Sequence, residues 1–332
     1  MSAKSTPTRR SKASPPHAWC YASGRVAALE SEWIPASEFE SLARRTSVAE
    51  ARAALGKTRY RGAFATDEAV KDFVNALAAI GERENADLLA VCPPHVMAEF
   101  LALPGRYLAF RALFLRRCER EPRVEELDEA FSALADTADT RAALEEHRDM
   151  LRRRDPPQTA DAVARSLFLD GAGARVALAL AQSAPEPEAR RFMLDHAALR
   201  AWACARRAVW NGAPASEVER WMVVGGEWEG LPIAAAASER MDAVAPWLSR
   251  EAADRLAAQG EERARKDIDA AVDAVTGLGA RDLRLAPFGA GRVLSYLESA
   301  RQERLNLRIA LSAPALGVDP AAALEGLRTT YV

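Results

Sequence analysis

The chain has few of the residues that build disulfides, metal sites and membrane spans. Its 332 residues hold four cysteines, Cys20, Cys92, Cys118 and Cys204, too far apart for CxxC pairs and too few for a disulfide scaffold. They suit a reducing compartment. Four histidines, His17, His95, His147 and His196, form neither an HExxH pattern nor a close metal-spaced pair. No apolar run approaches the roughly 18 residues that a membrane helix needs. An excess of one charge is also missing: 45 Lys and Arg against 47 Asp and Glu leave −2, without the basic footprint of a nucleic-acid binder. Residues that favour strands are scarce as well, 19 Val and 5 Ile against 35 Leu and 72 Ala. Alanine and leucine are strong helix formers, so composition predicts an all-α protein.

Residues 1 to 18 contain no acid, and they carry Lys4, Arg9, Arg10 and Lys12 among Pro7, Pro15 and Pro16. Lacking the apolar stretch of a secretory signal, this segment reads as a disordered basic tail. The remainder holds 41 basic and 47 acidic residues, a body charge of −6 that the tail masks. A chain this long buries about three quarters of its unfolded surface, in one large body or two ordinary domains. One body over 19–332 is expected.

Apolar spacing predicts a first helix from Trp19, with Trp19, Ala22, Val26, Leu29 and Trp33 on one face, ended by Pro35. Ser37 with Glu40, and Ser47 with Glu50, have the spacing of capping boxes for two short helices, the second closing at Gly56. Further helices are expected near 67–80, 105–119, 124–134, 139–153, 158–169, 188–210, 246–258, 261–275 and 289–312. In the last, Val293, Tyr296, Leu297, Ala300, Leu307 and Leu311 form an apolar stripe interrupted by Arg304. An uncharged polar stripe, Ser295, Ser299, Gln302 and Asn306, runs beside it.

Catalytic signatures are nearly absent. Gly56-Lys57-Thr58 ends like a phosphate-binding loop, but Ala51 stands where the first glycine belongs and the preceding segment reads as helix, so Gly56 is a helix end. Gly171-Ala172-Gly173 and Gly289-Ala290-Gly291 begin a dinucleotide fingerprint whose third glycine is replaced by Val176 and Leu294; both read as turns before helices. Asp195 beside His196, and Glu145 and Glu146 beside His147, are candidate acid–base pairs. Adjacent helical residues point about 100° apart, which favours solvated faces instead.

An internal echo is more informative. Ala109-Phe110-Arg111, Ala201-Trp202-Ala203 and Asn306-Leu307-Arg308 lead, about nine residues on, to Arg120, Gly212 and Gly317, and then to a proline that starts another helix: Pro122, Pro214 and Pro320. The copies are 92 and 105 residues apart, too long for a solenoid, and suggest three related lobes.

Both ends of the chain carry a resemblance. Tyr21-Ala22-Ser23-Gly24-Arg25-Val26, Phe39-Glu40-Ser41-Leu42 and Leu55-Gly56-Lys57-Thr58-Arg59-Tyr60 resemble the start of the C-type subunits of V/A-type ATPases, the family that includes the eukaryotic d-type subunits. Pro287-Phe288-Gly289, Val293 to Leu297, Glu303 to Ile309 and Tyr331-Val332 are similar to that family's close. The resemblance implies a funnel of three helical lobes that couples the central axle of a rotary ATPase to the membrane proteolipid ring. It implies no catalysis, no cofactor, no metal, no nucleic acid and a peripheral place on the cytoplasmic face of the membrane. The motif residues are Tyr21, Arg25, Tyr296, Glu303, Asn306 and Arg308. Asn306 is expected to make a tertiary hydrogen bond; Arg25, Glu303 and Arg308 are read either as a network tying the terminal helices or as solvated charges. A free-standing helical adaptor with the same fold is the alternative function.

Overall fold

Proline sets where regular structure begins. In the computed structural model, which describes residues 13–45, 47–61, 70–118, 124–135, 137–153, 162–238 and 240–328, Pro15 is extended and Pro16 opens a 3-10 turn, Pro16–Trp19. Trp19 is buried and anchors that turn. The last residues of the expected tail therefore have regular structure, while Met1 to Lys12 lie outside the described residues.

Every regular element among the described residues is helical. The chain continues through α1 (Cys20–Glu30), α2 (Ala36–Ala43), α3 (Val48–Leu55), α4 (Val70–Leu89), α5 (Met97–Cys118), α6 (Val124–Leu134), α7 (Ala138–Ala143), α8 (Glu145–Arg153), α9 (Ala162–Ser183) and α10 (Pro187–Trp210). Then come α11 (Ala215–Trp221), α12 (Gly230–Ala237), α13 (Arg250–Gln259), α14 (Glu261–Lys266), α15 (Ile268–Leu283), α16 (Ala290–Leu316) and α17 (Pro320–Gly326). No described helix is long and apolar enough to cross a membrane.

Two compact units divide the chain: a terminal unit of Ser14–Pro94 with Asp273–Val332, and a central unit of His95–Val272. The terminal unit is built from both ends. Ile34, Phe39, Leu42, Leu55, Phe73 and Leu77 from its first segment share one core with Leu307, Ala310, Leu311 and Ala323 from its second. Each large side chain buried this way contributes roughly 1.5–3 kcal/mol. At the centre of this unit α16 packs against α1, α2, α3, α4 and α17. Its apolar stripe is buried, and so are Ser295, Ser299, Gln302 and Asn306 of the polar stripe. Gln302 lies on Gly277 of α15, where an added Cβ would stand 2.7 Å from its amide.

In the central unit, α9 packs against α5, α7, α10 and α11. Phe110 and Phe114 of α5, Phe131 of α6 and Phe168 of α9 form an aromatic core, with centroids 5.1 to 6.2 Å apart. Trp221 and Trp228 are buried; the half-buried Trp247 donates its indole N–H to the Glu227 carbonyl at 2.9 Å.

Several expectations need correction. Gly171 and Gly173 lie inside α9 rather than in a turn, because close packing requires them there. A Cβ on Gly171 would meet the Val223 backbone at 3.0 Å, and one on Gly173 would meet the Tyr107 ring at 2.8 Å. Ser37 does not cap α2: Pro35 is already extended and starts the helix at Ala36 without a side-chain bond. Ser47 does cap α3, accepting from the Glu50 N–H at 3.2 Å. The helix expected over 261–275 breaks at Asp267, an extended residue whose carboxylate accepts from the Ala270 N–H at 2.8 Å and so starts α15.

The echo has a local counterpart. Phe110, Trp202 and Leu307 are all buried. Gly212 and Gly317 have φ of 92° and 65° just past α10 and α16. Pro320 is the first residue of α17, whereas Pro214 precedes α11 as its N-cap. Arg120 and Pro122 lie outside the described residues.

Candidate functional site

The most concentrated polar chemistry of the terminal unit is buried beneath α16. Tyr296 and Glu303 are seven residues apart, two turns, so both point to the same side. The turn after α3 delivers Arg59 and Tyr60 to them, and the segment after α1 brings Trp33 and Ile34. Glu303 accepts from the Ile34 N–H at 2.9 Å, the Tyr60 hydroxyl at 2.8 Å and the Arg59 guanidinium at 2.5 Å. Arg59 also donates to the hydroxyls of Tyr296 and Tyr60, each at 2.9 Å. Its guanidinium lies 4.8 Å from the centre of the Trp33 ring, within cation–π range. Glu84 of α4 completes the cluster, 3.8 Å from Arg59 and 3.2 Å from Arg304. Gly81 makes room for Arg304, whose Nε would stand 2.5 Å from a Cβ there.

Burial dominates the protonation of these groups. It pushes the Glu303 carboxyl above its ordinary value, while Arg59 and the bonds from Ile34 and Tyr60 pull against it. Tyr60 is raised by burial and by the Glu303 charge, so its hydroxyl is held as a donor. Burial alone would lower Arg59, but Tyr60, Glu303, Tyr296 and Glu84 outweigh it and hold the guanidinium charged. A carboxylate with three donors and a buried counter-charge is fixed in place. Chemically the cluster is a latch between the start and the end of the chain.

A second cluster secures the last described residues. Asn306 donates to the Arg328 carbonyl at 2.9 Å and accepts from its N–H at 2.6 Å. The expected tertiary bond of Asn306 is therefore double, and it is made to backbone. The Arg328 side chain reaches Asp273 at 3.1 Å. Asp273 is also held by Arg301 at 2.6 Å, and Arg301 holds Glu298 at 2.8 Å.

The other motif residues lie elsewhere. Tyr21 is 70% exposed, and Arg25 and Arg308 are exposed on α1 and α16. The network expected among Arg25, Glu303 and Arg308 is not how Glu303 is held; its partner is Arg59. A different ion pair links α1 with α16, Glu30 to Arg292 at 2.5 Å. Arg59 and Tyr60 stood inside the opening motif, but nothing in their local spacing pointed to a glutamate 244 and 243 positions away.

The candidate acid–base pairs separate. Asp195 accepts from the Ser249 N–H at 2.7 Å and its hydroxyl at 2.6 Å, while His196 lies against Phe100, 5.7 Å between ring centres. Glu145 pairs with Arg148 and Glu146 with Arg175; His147 turns inward against Phe168 at 5.3 Å. Burial pushes Cys92 up to about 11 and Cys204 up to about 12, which makes both inert thiols. A contact invisible in sequence joins His95 to Glu186 at 2.6 Å. Among the described residues no group of three or more His, Cys, Asp or Glu side chains is placed to hold a metal ion. Comparisons with known protein families and with curated proteins find no match for the chain.

Proposed function

We propose that the chain is a non-catalytic rotor subunit of a V/A-type ATPase, peripheral on the cytoplasmic face of the membrane, which joins the axle of the central stalk to the proteolipid ring. One observation carries this reading. The two stretches that bear the resemblance, Leu55 to Tyr60 and Pro287 to Ile309, meet in a single buried cluster through Arg59, Tyr60, Tyr296 and Glu303. Torque requires a part that does not yield. A buried latch in which Arg59, Tyr60 and the Ile34 N–H all bond to Glu303, together with small residues that let helices approach closely, supplies stiffness. Three lobes arranged as a funnel belong to the same proposal.

The test is recovery of partners. The tagged full chain, captured from detergent-extracted membranes, is expected to bring down proteolipid-ring and axle subunits identified by mass spectrometry. Deletion of the chain is expected to abolish ATP-driven ion pumping while the soluble head still hydrolyses ATP. Capture of unrelated soluble proteins alone would favour the free-standing adaptor.

A further inference from the structure

Between α15 and α16 the chain turns through Leu285, Ala286, Pro287 and Phe288, four apolar residues in succession. Leu285 is 84% exposed and Phe288 50%. Their exposure is built in. The N–H groups of Arg284, Leu285 and Ala286 are bonded to the carbonyls of Ala280, Asp282 and Leu283 at 3.1 to 3.2 Å. Arg292 crosses the turn from the far side, donating to the Arg284 carbonyl at 2.9 Å and to Glu30 at 2.5 Å. Gly289, at φ 112°, lets the chain re-enter α16 directly.

Charge around this tip favours an anionic partner. Arg281 is exposed on the last turn of α15 and Arg284 just past its end, where Arg292 holds the Arg284 carbonyl. Asp282 lies between Arg281 and Arg284 in the chain, and Glu30 is engaged by Arg292 and stands 4.0 Å from Arg284. Arg292 and Glu30 offset each other, so the tip presents the exposed Arg281 and Arg284 on either side of Asp282.

We propose that this turn docks on an anionic lipid surface, with Leu285 and Phe288 entering the boundary between headgroups and acyl chains and Arg281 and Arg284 pairing with lipid phosphates. A leucine and an aromatic ring at a convex tip, with guanidinium groups set back from it, match the layering of a bilayer interface. The planar guanidinium pairs with two phosphate oxygens at once. A four-residue convex tip offers far less than the roughly 800 Å² per partner that a stable protein interface buries. This inference stands apart from the rotor reading, because lipid alone is the partner.

Flotation of the full chain with phosphatidylcholine vesicles, with and without phosphatidylglycerol, tests it. The chain is expected to float with the anionic vesicles and to be released by salt. Leu285→Asp should weaken partition by about tenfold, the fold-change that losing one buried leucine corresponds to. Its thermal melt should coincide with that of the parent, because the side chain touches little in the folded protein. Adding Phe288→Ser should abolish flotation. If the double variant floats as well as the parent, the N-terminal basic segment carries the binding and the proposal falls. It falls equally if the parent does not float on anionic vesicles, and the apolar tip then belongs to a protein pocket.

Discussion

Glu303 is costly to bury and costly to break. Replacing it with Gln keeps the shape but leaves Arg59 buried, with Glu84 at 3.8 Å as its nearest remaining counter-charge. Urea unfolding of Glu303→Gln should show a loss of about 3 kcal/mol. An unchanged midpoint would mean that the cluster contributes no net stability. His147 makes the opposite bargain. It is buried against Phe131 and Phe168 and neither ring nitrogen has a hydrogen-bond partner among the described residues. Burial, assisted by the charge of Arg175, lowers its pKa to about 3. The unfolded chain takes up this proton near pH 6.5 and the folded chain does not, so stability is full above 6.5 and falls as the pH drops toward 3. The slope expected from this one group is about 1.4 kcal/mol per pH unit. His147→Phe should flatten it in a series of urea titrations between pH 6.5 and 4.5.

Helix α9 shows how one element answers to its neighbours rather than to its own propensity. Gly171 is a poor helix residue, yet the Val223 backbone approaches so closely that a methyl group has no room. Gly171→Ala would gain about 1 kcal/mol of helix propensity and lose about 1–3 kcal/mol to overpacking. The net expectation is a lower melting temperature. Gly24 on α1 has nothing within 4 Å of an added Cβ, so there the same substitution should raise stability by up to about 1 kcal/mol. Calorimetry of the two variants side by side is the check; shifts of the same sign would refute the packing account. Helix α16, which packs against α1, makes a related point, because it is covered on its polar stripe as well as its apolar one. Ser295, Ser299, Gln302 and Asn306 are buried, and Gln302 bonds the Asp273 carbonyl at 2.9 Å.

Across the whole chain, the terminal unit is discontinuous. Its core combines Phe39, Leu42, Leu55 and Leu77 with Leu307, Leu311 and Ala323, and neither segment can bury its apolar face alone. Residues 14–94 expressed alone are expected to unfold without a cooperative transition. Adding 273–332 in trans should restore both helicity by circular dichroism and a single melting step. Independent cooperative folding of 14–94 would contradict the shared core. The rotor proposal draws on the same closure of chain ends.

Composition alone determined the fold class: alanine and leucine in excess over β-branched residues leave little else than helix. Proline and three-and-four spacing located most helices, because those signals act within a few residues. The sequence also marked Tyr296, Glu303 and Asn306. It did not reveal that Glu303 is held by Arg59 and Tyr60, or that Asn306 grips the Arg328 backbone, since contacts between residues far apart in the chain leave no local pattern. It misread Gly171 and Gly173 for a related reason: a glycine required by close approach looks the same in sequence as one required by a turn. Tertiary structure decided these points, because burial and close contact depend on which segments fold against each other.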